Sequence, residues 1–171
     1  AYSDLVEMDD GLGLTIGDTY AEQNINTLSS SDFFYFKSIR PLQEILPSFI
    51  RPMYEFNFGI LKSSGTQGWL VGVGPKLGLV FTNDLYLTAG FRFVYLDEYK
   101  FRTQDGDHMR HYGGHRQFQY YWDLNYDVSS KVTVGYRWLH MSNGMQVLPE
   151  SLKYDHNPVI ETHNLVLTFD F

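Results

Sequence analysis

The chain has 171 residues, no cysteine and a formal net charge of −7. The missing cysteines exclude a disulfide framework and a cysteine-ligated metal, and the missing basic excess argues against a nucleic-acid partner. No apolar run reaches the roughly 18 residues of a transmembrane helix, although aromatic residues make up 17% of the chain at a mean hydropathy of only −0.28. A soluble domain could carry that balance. So could a membrane barrel, whose polar lumen positions average against apolar lipid-facing ones. The length fits one domain over residues 1–171. A basic, apolar signal segment is missing at the start, so in an exported protein Ala1 is expected at or near a processed N-terminus.

In chain order, segment after segment alternates strictly, which is the mark of half-buried strands. Gly11 to Asp18 sets Leu12, Leu14 and Ile16 against Gly11, Gly13, Thr15 and Gly17. Asp32 to Arg40 is a second strand, with Phe33, Phe34, Tyr35 and Phe36 leaving its facing open. Pro41 to Pro47 is a connection with room for one helical turn. The third strand, about Phe49 to Leu61, sets Ile50, Tyr54, Phe56, Phe58 and Ile60 against Arg51, Glu55 and Gly59. Lys62 to Gly68 reads as a Ser/Gly loop.

The fourth strand sets Trp69, Val71, Val73, Leu77 and Leu79 against Gly72, Gly74, Lys76 and Gly78. After the tight turn Thr82-Asn83-Asp84, the fifth sets Leu87, Ala89, Phe91, Phe93 and Tyr95 against Thr88, Gly90 and Arg92. A long polar loop, about Thr103 to Gly114, follows. The sixth strand sets Phe118, Tyr120, Trp122, Leu124 and Tyr126 against Gln119, Asp123 and Asn125. Ser129-Ser130 turns into the seventh, with Val132, Val134, Tyr136 and Trp138 against Thr133, Gly135 and Arg137. The eighth sets Leu165, Leu167, Phe169 and Phe171 against Asn164, Thr168 and Asp170.

Eight strands of this length, tilted, suffice to cross a bilayer. A soluble barrel would put its large apolar side chains inside and its charges outside. Here the uniform face is aliphatic and aromatic, and its opposite mixes glycine with charges that can pair. The interior of an eight-stranded barrel is just wide enough to be filled by side chains. The expected fold is therefore all-β, an eight-stranded antiparallel transmembrane β-barrel, with Arg92, Arg137, Glu55 and Asp123 forming a paired plug. Connections after strands three, five and seven read as long and mark the outer end. Tyr95, Tyr99, Tyr112, Tyr120 and Tyr121 read as an interfacial aromatic belt.

One stretch carries chemistry. Residues i and i+2 of a strand share a face, so His140 and Ser142 continue the lipid-facing row of Val134, Tyr136 and Trp138. Glu161 and His163 have lipid-facing parity on the last strand. Depending on register, Glu161 lies opposite either His140 or Trp138. A lipid-facing charge costs about 2–4 kcal/mol at mid-bilayer and about 0–1 kcal/mol near the interface, so the rim tolerates the trio. Together they suit a serine esterase. Ser142 is then the nucleophile, His140 the general base, and Glu161 the group that orients the imidazole. Asn143 and the backbone N–H of Gly144 are the candidate oxyanion hole.

His140-Met141-Ser142-Asn143 resembles the His-x-Ser-Asn motif of the PagL family, the lipid A 3-O-deacylases of Gram-negative outer membranes. Glu161, within Ile160-Glu161-Thr162-His163, is similar to the glutamate that opens the family's last strand. The likeness is best over residues 49–171, and the alternation back from Phe171 resembles the C-terminal signature of outer-membrane barrels. Gly144 departs from the alanine more common at that place, and the connection from Asn143 to Ile160 is long. The resemblance implies an outer-membrane enzyme that hydrolyses the 3-position acyl ester of lipid A in lipopolysaccharide. It implies no metal or other cofactor, and a monomer or homodimer. The alternative is a non-enzymatic small barrel, structural or adhesive, whose loops carry the function. A palmitoyltransferase or phospholipase barrel is a third reading that no motif favours. His108, His111 and His115 stand at spacings a metal could use, but no carboxylate pattern completes a site.

Overall fold

The computed structural model of the protein describes residues 10–19, 28–103, 109–144, 148–152 and 159–170. Eight long strands form the wall: β1 (Asp10–Thr19), β2 (Ser29–Ser38), β3 (Ile50–Ser63), β4 (Thr66–Val80), β5 (Leu85–Leu96), β8 (Arg116–Ser129), β9 (Val132–Ser142) and β10 (Ile160–Asp170). Two short strands, β6 (Lys100–Arg102) and β7 (Met109–His111), pair with each other. The wall closes in the order β1-β10-β9-β8-β5-β4-β3-β2, all antiparallel. Closure leaves no edge strand, as a barrel in lipid requires, because an unpaired backbone group has no water to turn to.

The alternation places side chains as expected. Phe56, Val73, Phe91, Trp122 and Leu165 are exposed on the outer wall. The lumen fills in three layers. Near the lower end Phe34, Phe36, Met53, Tyr86 and Val166 pack together. Toward the upper end, where the 143–159 connection lies, Leu61, Leu70, Val94, Leu96, Leu139, Met141 and Ile160 form a second apolar layer. Between them sit three carboxylates and three cations. Lys76 Nζ donates to Glu55 Oε2 at 2.9 Å, and Arg92 bridges Glu55 and Asp32. Arg137 grips Asp123 with two parallel bonds, Nε to Oδ1 at 2.5 Å and Nη2 to Oδ2 at 2.8 Å. Its guanidinium also lies 3.9 Å from the centre of the Tyr121 ring. Burying ions is costly unless they are paired, and here each ion has an opposite charge within 3 Å, while Arg92 Nε and Arg137 Nη1 have no hydrogen-bond partner among the described residues. Where the bulkiest rings turn inward the facing residue is glycine. A Cβ on Gly13 would stand 2.0 Å from Phe34 Cζ, and one on Gly90 would stand 2.3 Å from Tyr121 Cζ.

The four charges expected to pair do pair, and Lys76 and Asp32 join them. Asp32 escaped because β2 carries aromatics on both faces. Phe33 turns outward, while Phe34 and Phe36 turn in. The connection after strand three is not a long loop. Ser63 pairs with Thr66 across the two-residue turn Ser64-Gly65, where both φ angles are positive, at 41° and 82°. That is the primed-turn geometry of a tight hairpin, and the ladder continues through Lys62 and Gln67. The long connection after strand five carries the β6–β7 hairpin. Tyr112 and Tyr121 do not belong to an interfacial belt. Both are buried: Tyr112 meets Phe101 edge-on in the upper layer, and Tyr121 has the inward parity of β8 and lies against the arginines. Tyr95 and Tyr120 do face out. The helical turn expected after β2 is α1 (Arg40–Gln43). Phe171 lies outside the described residues.

Candidate active site on the outer wall

Two registers build this site. The Ser130–Lys131 turn pairs Ser129 with Val132, which sets an inward position of β8 against an outward position of β9. A β-bulge between Asp127 and Ser129 removes the mismatch, so that Asp127 meets Thr133 and the outward rows coincide from there up. Tyr120 therefore stands opposite His140, and Phe118 opposite Ser142. On the other side β10 places Glu161 opposite His140 and His163 opposite Trp138. Of the two registers left open by parity, this is the one that joins the carboxylate to the imidazole.

His140 Nδ1 lies 3.2 Å from Glu161 Oε1. With Nδ1–H donating to the carboxylate, Nε2 is left as the acceptor, which is the tautomer a general base needs. The pair is only partly covered, with 13% of the His140 side chain and 33% of the Glu161 side chain exposed. The Tyr120 ring stacks on the imidazole at 4.3 Å between centroids and 22° between planes. Trp138 leans on it from below at 6.1 Å. Ser142 is half-buried on the same outward row. The described hydrogen bond of the imidazole goes to Glu161; in ligand-free enzymes the bond between nucleophile and base is often long and tightens with substrate.

Asn143 has the opposite parity and is buried. Gly144 has φ +69°, in the left-handed region. A Cβ there would meet Phe118 Cε2 at 2.6 Å. Glycine rather than alanine is thus dictated by this backbone and by the ring beneath it. The Gly144 carbonyl accepts the Leu148 N–H at 3.1 Å.

Deeper on the same wall His163 contacts the Tyr136 hydroxyl through Nδ1. Phe118 packs between Phe91 and Phe93, continuing an apolar surface from the rim toward mid-barrel. Two other described histidines, His111 and His115, are occupied elsewhere. His111 Nδ1 accepts the Gly113 N–H at 3.0 Å, and His115 Nδ1 lies 2.7 Å from the Leu96 carbonyl. His108, the third histidine of that loop, lies outside the described residues. Among the described residues no group of three or more His, Asp or Glu is placed to hold a metal. From sequence, Tyr120 reads only as a belt residue and Phe118 only as lipid-facing, and neither is tied to the motif. The parity of Tyr120 and Phe118 was visible there, but the register that sets them beside the motif was not.

Residues 50–170 match a family model described as Lipid A 3-O-deacylase (PagL). Among solved structures, the crystal structure of the outer membrane enzyme PagL superposes with a TM-score of 0.65 at 17% identity, covering 95% of this chain and 99% of that one. Neisserial surface protein A (NspA) superposes with a TM-score of 0.52 at 9% identity, over 95% of this chain and 96% of that one. At such identities these two likenesses speak for the barrel fold. No curated protein matches the chain at a significant level. The family match spans well over half of the chain and contains His140, Ser142, Asn143, Gly144 and Glu161. The chain belongs to the PagL family of lipid A 3-O-deacylases, ester hydrolases built on an outer-membrane β-barrel.

Proposed function

We propose that the protein hydrolyses the 3-position acyl ester of lipid A from the outer leaflet, using Ser142, His140 and Glu161 on the outer face of the barrel. The observation that carries this reading is the His140–Glu161 contact at 3.2 Å on the lipid-facing row that also holds Ser142. A lipid substrate already lies against that row, so no internal pocket is needed.

Ser142 Oγ attacks the ester carbonyl while His140 Nε2 takes its proton. Glu161 holds the imidazole in the required tautomer and stabilises the imidazolium. The oxyanion is received by backbone N–H groups at Asn143 and Gly144, because the Asn143 side chain has inward parity and is buried away from the lipid-facing row. Collapse breaks the bond to the sugar 3-oxygen, which leaves as a hydroxyl with the proton from His140. Water, deprotonated by His140, then releases the acyl chain as a carboxylic acid and frees Ser142. Every step uses groups on this chain, the substrate and water.

The test is mass spectrometry of lipid A from cells making the wild type or Ser142→Ala. The wild type removes one ester-linked acyl chain and the variant, equally abundant and folded, removes none. Unchanged lipid A with active, folded wild-type protein favours the non-enzymatic barrel. Loss of a chain from a position other than 3 keeps the esterase and corrects its regiochemistry.

A further inference from the structure

We infer that Tyr120 is a positioning residue for this reaction, holding the His140 ring in its working orientation and stabilising it when it carries a proton. The inference rests on the triad proposed above. An imidazole with a single in-plane hydrogen bond can still pivot about that bond, and Glu161 gives His140 only the contact at 3.2 Å. A second constraint must come from the ring face. Tyr120 supplies it, as the directly opposed residue on β8, with planes 22° apart and centroids 4.3 Å apart. Trp138, on the strand of His140 itself, is farther, at 6.1 Å, and more steeply tilted at 39°. The groups around the imidazole are therefore Glu161 from β10, Tyr120 from β8, and Trp138 and Ser142 along β9.

An aromatic face attracts a cation over it and does so more strongly where water is excluded. In the proposed reaction His140 gains its proton as Ser142 attacks, so the stacking acts on the transition state. That is the kind of interaction that raises kcat rather than tightening substrate binding. The ring face carries the effect, because the Tyr120 side chain is half-exposed and no hydrogen bond from its hydroxyl to His140 enters the geometry.

The experiment measures kcat and KM on lipid A in detergent micelles for wild type, Tyr120→Phe, Tyr120→Leu, Glu161→Gln and the Tyr120→Leu/Glu161→Gln double variant. Folding of each is checked by its heat-modifiable migration on gels. Tyr120→Phe keeps kcat within about twofold. Tyr120→Leu lowers kcat by about fivefold, with KM little changed. The two losses are non-additive in the double variant, because both act through one ring. A wild-type kcat in Tyr120→Leu, strictly additive losses, or an equal loss in Tyr120→Phe each overturn the inference. If Tyr120→Leu does not fold, Tyr120→Ile, a good strand former, takes its place. Ser142→Ala is the separate control. Full activity there removes the triad itself, whereas an inactive Ser142→Ala beside an unaffected Tyr120→Leu removes only the role of Tyr120.

Discussion

The charges inside the barrel and those on its outer wall have opposite fates. In the lumen six ionised side chains neutralise one another, and the Arg137–Asp123 pair is bidentate and fully buried. On the wall His140 and Glu161 share one hydrogen bond and remain partly exposed. Each member of the inner set has an opposite charge within 3 Å, and the set is structural. The outer set faces the lipid, and among the described residues Nε2 of His140 has no hydrogen-bond partner, so it is placed to move a proton. An ion walled in among opposite charges holds the fold, and a pair open to the lipid can do chemistry.

Four substitutions break or sharpen that contrast. The largest expected effect is Ser142→Ala, which lowers kcat on lipid A by about 10⁶-fold and leaves thermal unfolding in detergent unchanged. Glu161→Gln keeps the shape but offers the imidazole an ambiguous partner, and an assay of released fatty acid should show a loss of about 10³- to 10⁴-fold. Arg137→Met acts on the other side of the wall. It takes away the bidentate partner of Asp123, leaving the Thr88 hydroxyl and the more distant Lys76 ammonium, costs about 3 kcal/mol in urea unfolding and leaves activity per folded molecule intact. A full loss of activity in folded Arg137→Met would show that lumen and wall are coupled. Gly144→Ala is the smallest. The left-handed φ of +69° costs an L-residue about 1–2 kcal/mol. The new methyl also crowds Phe118, 2.6 Å away. kcat should fall about tenfold, and part of the loss should return when Phe118→Leu is added.

The barrel was legible because alternation is a property of one strand and needs no partner. Phe91, Trp122 and Leu165 could be placed on the outer wall by counting alone. The motif was legible for the same reason: His140 and Ser142 share the parity of Trp138. What counting could not reach were relations between strands. Asp32 was invisible as a network member while both faces of β2 looked aromatic. Tyr121 was misread as interfacial until the arginines it lies against were in view. The Ser64-Gly65 turn was mistaken for a loop because small polar residues serve both.

By itself, then, the sequence determined which face of each strand meets lipid and which residues at the rim have reactive side chains, since a two-residue period is local and covalent. Only the tertiary structure decided the register. The bulge before Ser129 aligns Tyr120 and Phe118 with the motif, and the β9–β10 ladder brings Glu161, 21 residues on, opposite His140. Register is a property of hydrogen bonding between separate strands, and closing the barrel settles it for all eight at once.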